Sequence, residues 1–363
     1  MIRPPEYIQS IKPYVPGKPI EELQRELGIE DVVKLASNEN PLGPSPKAVE
    51  AVYKVIRGLN RYPDGSGFYL KNVLSESLAV NQERLITGNG SNELIDIAVR
   101  TFMTAGDEAI MGVPSFVVYP LAVQSVGAKA VQVPLKEWRH DLYAMAGEIT
   151  ERTRIIFVAN PNNPTGTINH TDEFDEFMQR VPDGVLVIVD EAYREYVRDG
   201  RYPDAMEYLK AERDILILRT FSKVYGLAGL RIGYGISREE IVREMNKVRE
   251  PFNTSTVAQA AALASVEDDG HVERSIALNE EGKAYLYKEF RRLGLDFVAT
   301  EANFIYMTFD SPVAVELYSH LLKRGVIIRP IGAAAVRITI GLPEENRLLV
   351  EVLGAVIGRI LIS

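Results

Sequence analysis

The stretch "DILILRTFSKVYGLAGLRIGYG", Asp214–Gly235, opens as a strand and runs into a loop spaced by glycines. Its apolar run from Ile215 to Leu218 is continuous, as in a strand covered on both faces, the usual state of a parallel strand in an α/β protein. The run stops at Thr220; Lys223 follows, and then Arg231. Cations beside a core need a partner. Either both are solvated, or the loop holds an anion, with Arg231 buried against it and Lys223 doing chemistry.

Two upstream runs have the same form. "RIIFVA" ends at Ala159 and is followed by Asn160-Pro161-Asn162-Asn163-Pro164-Thr165-Gly166; "VLVIVD" ends at Asp190 and is followed by Glu191-Ala192-Tyr193. Ligands of an open parallel sheet sit beyond the carboxyl ends of its strands. Three strands thus deliver an amide, a carboxylate with a phenol, and an amine to one sheet edge. Each alone has an ordinary explanation as a turn former, helix cap, core tyrosine or solvated lysine. Their convergence is what points to a site. A fourth strand end, in "RLITGNGSNELIDIAVRTF", leads through a glycine turn into a helix opening near Ser91, with Leu94, Ala98 and Phe102 on its apolar face. Free N–H groups at a helix start favour a phosphate. Gly88-Asn89-Gly90 resembles a dinucleotide fingerprint, but Glu93 stands at its third glycine, so a single phosphate suits the loop better.

The rest of the chain frames this core. Its 363 residues, 46% hydrophobic, allow a large core and about two domains. The net charge of −9 argues against non-specific nucleic-acid binding. No cysteine is present, which excludes disulfides and thiolate chemistry. The four histidines, His140, His170, His271 and His320, are scattered and read as surface residues rather than metal ligands. Nothing resembles a signal peptide or a membrane span: the apolar tail "VEVLGAVIGRILIS" is broken by Glu351 and Arg359 and reads as a docked helix. The chain reads as soluble and cytoplasmic. Residues 1–36, rich in proline, read as an extended arm contributing to a small domain. Residues 37–250 form a large α/β domain with a mostly parallel central sheet flanked by helices, and residues 251–363 a smaller α+β domain. A helix from Ser45 to about Gly58 and an alanine-rich one from Ser255 to Val266 belong to this plan.

A lysine amine, an anion clamp, a carboxylate and a hydrogen-bonding phenol are together what pyridoxal 5′-phosphate requires. The lysine bonds its aldehyde and an Asp pairs with its protonated ring nitrogen, keeping the ring electron-poor. On this reading Asp190 takes the ring nitrogen, and Asn163 and Tyr193 the phenolate oxygen. Arg231, Ser222, Thr220, Ser91 and Asn92 hold the phosphate.

The motifs "LASNENPLGPSP" (Leu35–Pro46), "RYPDG" (Arg61–Gly65), "GNGSNE", "NPNNPTG", "VDEAYREY", "TFSKVYGLAGLRIGYG" and "RITIG" (Arg337–Gly341) extend the match over nearly the whole chain. The chain resembles the fold-type I pyridoxal-phosphate aminotransferases and, within them, the histidinol-phosphate aminotransferases. The resemblance implies that Lys223 is the Schiff-base lysine and the base that moves the Cα proton, and that Phe116 in "PSFVVY" stacks on the pyridine face. It implies that Tyr62 reaches the phosphate of the neighbouring subunit, hence a homodimer with shared sites. Arg337 would grip the substrate carboxylate, with Tyr14, Asn38 and Arg329 also at the substrate end. It implies a two-stage exchange between histidinol phosphate and 2-oxoglutarate. One departure is the stretch "PIGAAAV" between Arg329 and Arg337, shorter than the family's usual one. Alternatives remain open at this point: an aminotransferase for aromatic amino acids, a phosphothreonine-type decarboxylase, a non-catalytic binding module, and a nicotinamide dehydrogenase disfavoured by Glu93.

Overall fold

The computed structural model describes residues 2–14 and 17–360. Seven strands form one sheet, in the order Leu85–Gly88, Gly233–Ser237, Ile215–Thr220, Leu186–Asp190, Thr153–Ala159, Glu108–Val113, Lys129–Pro134. Five run parallel. Gly233–Ser237 is antiparallel to both of its neighbours. The sheet is therefore mixed at one edge, and that reversed strand follows directly from the Arg231 loop.

The apolar runs behave as two-sided strands must. Val187, Val189, Ile215 and Ile217 enter one helix-covered core, and Leu186, Ile188, Leu216 and Leu218 enter the core on the opposite face. Alternation along a pleated strand sends successive side chains to opposite faces, so both sides require apolar residues. The helix Pro46–Val55 starts at Ser45, whose hydroxyl accepts from the Ala48 N–H. The helix Thr256–Val266 buries Ala258, Ala261 and Ala262 completely. Side chains this small permit close helix packing.

A second core gathers on a four-stranded antiparallel sheet, Arg329–Pro330, Ala335–Thr339, Phe304–Thr308, Phe297–Val298. Against it lie the helices Asp269–Arg292, Ala314–Leu322 and Pro343–Ile360. The N-terminal segment joins this unit, because Val33–Lys34 pairs in parallel with Val326–Ile327. It is less extended than its prolines suggest: Ile20–Leu27 is a helix, with Leu23 fully buried beside Ala36 and Ile327. Spacing apolar residues three and four apart outweighs proline when the prolines precede the first turn.

Among the described residues, no helix is long and apolar enough to cross a membrane. Two histidines depart from expectation. His140 and His271 are buried, each with Nε2 3.1 Å from a backbone carbonyl, that of Ala159 and that of Gly43 respectively. Burial pushes the His140 ring down to about 4, so it packs as a neutral hydrogen-bonding group.

Candidate active site

A cleft of about 330 Å³ opens beyond the carboxyl ends of the central strands, between the large sheet and the second core. Asp190 ends its strand opposite Ala159 and Leu218. That register is why Asn160–Gly166 and the Lys223 loop converge on it. The Asp190 carboxylate is buried and accepts from the Tyr119 hydroxyl at Oδ2 (2.8 Å) and from the Ala192 N–H at Oδ1 (3.1 Å). Burial raises its pKa above the usual carboxylate range, while these two donors and the positive charge of Lys223 pull the other way.

Lys223 is half-buried in the cleft wall, and its Nζ donates to the Ser37 carbonyl at 3.2 Å. Its amine is pushed down to about 7, first by burial and then by the guanidinium of Arg337. An amine with so low a pKa is substantially neutral near physiological pH and is therefore nucleophilic.

Residues of the segment Ala36–Asn38 touch three of these groups. The Ala36 carbonyl accepts from Arg337 Nη2 at 2.7 Å, the Ser37 carbonyl from Lys223, and Asn38 Nδ2 donates to the Tyr193 hydroxyl at 2.9 Å. Asn38 achieves this with φ 57°, a left-handed conformation that asparagine tolerates better than most residues. With its oxygen accepting from Asn38, Tyr193 keeps its own O–H to donate into the cleft. Arg337 Nη1 also donates to Asn163 Oδ1 at 2.6 Å, which leaves the Asn163 NH₂ group to donate elsewhere. Tyr14 and Arg329 meet at the cleft mouth, the guanidinium 5.1 Å from the ring centre.

The opposite wall carries Ser91, Asn92, Thr220, Ser222 and Arg231. Contrary to expectation, Arg231 is exposed. It follows the short turn Ala228–Leu230 with φ 57°, and its Nη1 donates to the Ala228 carbonyl at 3.0 Å, which holds the side chain at the rim. Glycine is required on both sides of it. A Cβ at Gly90 would stand 2.5 Å from Arg231 Nη2, and one at Gly233 would stand 2.8 Å from the Ser91 nitrogen. Glu93 caps the turn by accepting from the Asn89 N–H at 2.6 Å, a job that a third glycine could not do.

Of the expected site residues, all but Tyr62 line this one cleft. Tyr62 is 82% exposed and stacks on Phe252 with ring centres 4.7 Å apart. The sequence reading missed Tyr119, although its place three residues after Phe116 was a usable signal: that spacing puts both rings on one side of a helical turn. It also missed the buried pair of Arg219 and Glu191, 2.8 Å apart, which lies outside the cleft.

A mostly parallel sheet with a lysine loop, an acid strand end and a second domain closing the cleft defines a fold-type I transferase. Residues 30–353 match the family described as aminotransferase class I and II, and the chain belongs to it. It is 50% identical over 358 residues to a histidinol-phosphate aminotransferase of Moorella thermoacetica, covering 97% of this chain and 92% of that one. Histidinol-phosphate aminotransferase 1 of Nitrosococcus oceani is 46% identical, with 96% of this chain and 95% of that one covered. Among solved structures, the histidinol-phosphate aminotransferase of Sinorhizobium meliloti in complex with pyridoxal-5′-phosphate superposes with a TM-score of 0.92. It is 27% identical and covers 99% of this chain and 98% of its own.

Proposed function

We propose that the chain is a pyridoxal 5′-phosphate-dependent aminotransferase that interconverts histidinol phosphate and 2-oxoglutarate with imidazole-acetol phosphate and glutamate. The observation that carries it is the meeting, in one cleft, of a low-pKa lysine amine, a buried carboxylate and two separated cationic ends. The donor set fits the cofactor: an amine for its aldehyde, an acid for its ring nitrogen, a phenol for its oxygen. A glycine-lined helix start beside Arg231 suits its phosphate.

When bound, the cofactor supplies an electrophilic aldehyde and a ring that takes up the electrons left by a departing Cα proton. Lys223 would hold the cofactor through its amine and, as a neutral amine, would move that proton. Asp190 would pair with the ring nitrogen, and Tyr193 and Asn163 would donate to the phenolate oxygen. Phe116 would pack against the ring. Ser91, Asn92, Thr220, Ser222 and Arg231 would hold the phosphate. At the other end Arg337 offers a planar fork that suits a carboxylate and a phosphate alike, as a site alternating between glutamate and a phosphorylated amine requires. Arg329 and Tyr14 supply further donors beside it, and Asn38 keeps Tyr193 in place.

We infer a soluble cytoplasmic homodimer. Tyr62 lies in a stretch with Tyr53, Ile56, Leu59, Phe68 and Tyr69, all exposed, and so many exposed large apolar groups in one segment suit a partner subunit. Across such an interface Tyr62 would serve the neighbouring cleft. Mixing inactive Tyr62→Ala and inactive Lys223→Ala subunits then restores part of the activity; a strictly monomeric protein would contradict this.

The direct test is an amino-transfer assay with histidinol phosphate and phenylalanine as donors side by side. Histidinol phosphate is expected to give the larger kcat/KM. A larger value for phenylalanine transfers the assignment to aromatic amino acids, with the short Arg329–Arg337 stretch as its cause.

A further inference from the structure

Behind Phe116 the ring of Tyr119 is fully buried. It stacks on Phe157 with centres 4.6 Å apart and planes 11° from parallel, and it meets Phe116 edge-on at 5.5 Å. Two flanking rings leave it little freedom to turn. Its hydroxyl therefore stands at a fixed point, 2.8 Å from Asp190 Oδ2, while the Ala192 N–H holds Oδ1. One donor on each oxygen sets the plane of the carboxylate and favours its ionised form.

We propose that Tyr119 is a positioning residue that holds Asp190 ionised and in the orientation that pairs with the ring nitrogen of the bound cofactor. The inference rests on the pyridoxal-phosphate reading above. Burial works against an ionised Asp190, and the tyrosine donor offsets part of that cost. A tyrosine that had merely found an acceptor in the core would make the same hydrogen bond. What separates the two roles is whether its loss is felt at the ring nitrogen.

Tyr119→Phe removes one oxygen and keeps both ring contacts, and a thermal melt of the apo-protein checks that the variant folds. The apo-protein is titrated, by fluorescence quenching, with pyridoxal phosphate and with its carbocyclic analogue, in which the ring nitrogen is replaced by C–H. Loss of a hydrogen bond to a charged group should weaken pyridoxal phosphate about ten- to a hundred-fold. The analogue should change by no more than about threefold. In an Asp190→Asn background Tyr119→Phe should have no further effect on pyridoxal phosphate. The acid limb of the affinity profile should also move to higher pH, because Asp190 without its donor takes up a proton sooner. Equal weakening of both ligands, weakening that persists in Asp190→Asn, or no weakening at all would overturn the proposal. A wild-type chain that takes up neither ligand overturns the cofactor reading beneath it instead.

Discussion

Two buried acids sit at opposite ends of the same parallel sheet and have opposite fates. At the amino end Glu108 receives the Thr150 hydroxyl at 2.7 Å, Arg152 at 2.9 Å and Lys129 at 3.2 Å. These partners, the Thr150 hydroxyl foremost, hold its carboxyl down to about 2. At the carboxyl end the hydrogen bonds to Asp190 come from a phenol and a backbone N–H, both neutral, and burial raises its pKa. Nearby Lys223 is displaced in the complementary sense, down to about 7. Glu108 is completed by its own chain. In the cleft, burial disfavours the charged forms of Asp190 and Lys223, a cost that a partner of complementary charge would offset, and such a displacement marks chemistry rather than scaffolding.

The comparison breaks most decisively at Lys223. Lys223→Ala should reduce amino transfer on the order of 10⁴-fold or more, while the apo-protein melts no lower than wild type, since a desolvated amine is removed. Steady-state kinetics beside a thermal melt decide it; activity within about tenfold of wild type would place the lysine with the scaffold.

A smaller effect sharpens the contrast through pH. Only the neutral amine attacks, so uptake of pyridoxal phosphate by the apo-protein should rise about tenfold between pH 6 and pH 8 and then level. A rate still climbing toward the ordinary lysine value of 10.5 would contradict the depressed pKa. Arg337→Ala should move the midpoint upward, because a neighbouring positive charge is lost.

The smallest effect belongs to the other end. Glu108→Gln should leave kcat and KM unchanged and lower stability by about 1 kcal/mol at neutral pH. Because the folded pKa is depressed, the wild-type advantage is present above the ordinary value of 4.5 and disappears as pH falls through about 2. Urea melts across that range measure it, and a difference that persists at the acid end would show the charge irrelevant.

Much of the fold was legible because the strands "RIIFVA", "VLVIVD" and "DILILRT" are apolar on both faces, and each leads into a loop of polar residues. That pattern is local, and so is the composition of the loops that follow. What was not legible depends on register and distance. That Asn38 reaches Tyr193, or that Tyr119 lies under Asp190, follows from how remote segments pair. The reversal of Gly233–Ser237 leaves no mark in a short apolar run, which reads alike in either direction. Arg231 was expected to be buried against an anion; by itself the side chain stands exposed at the rim, where Nη1 donates to the Ala228 carbonyl. His140 and His271 were expected outside; each found a carbonyl acceptor within reach, which residue type alone does not reveal.

That reversed strand has a consequence for the order in which the molecule is completed. Leu85–Gly88 lies at the sheet edge and pairs only with Gly233–Ser237, made far later during synthesis. Closures across so long a stretch of chain are slow. The wall formed by Ser91 and Arg231 therefore comes together at the same moment as that ladder. A ligand gripped from both sides has nothing to bind in a shorter nascent chain, and its binding free energy is added only when the edge strand docks. Cofactor supply then acts as a lock on that long-range closure.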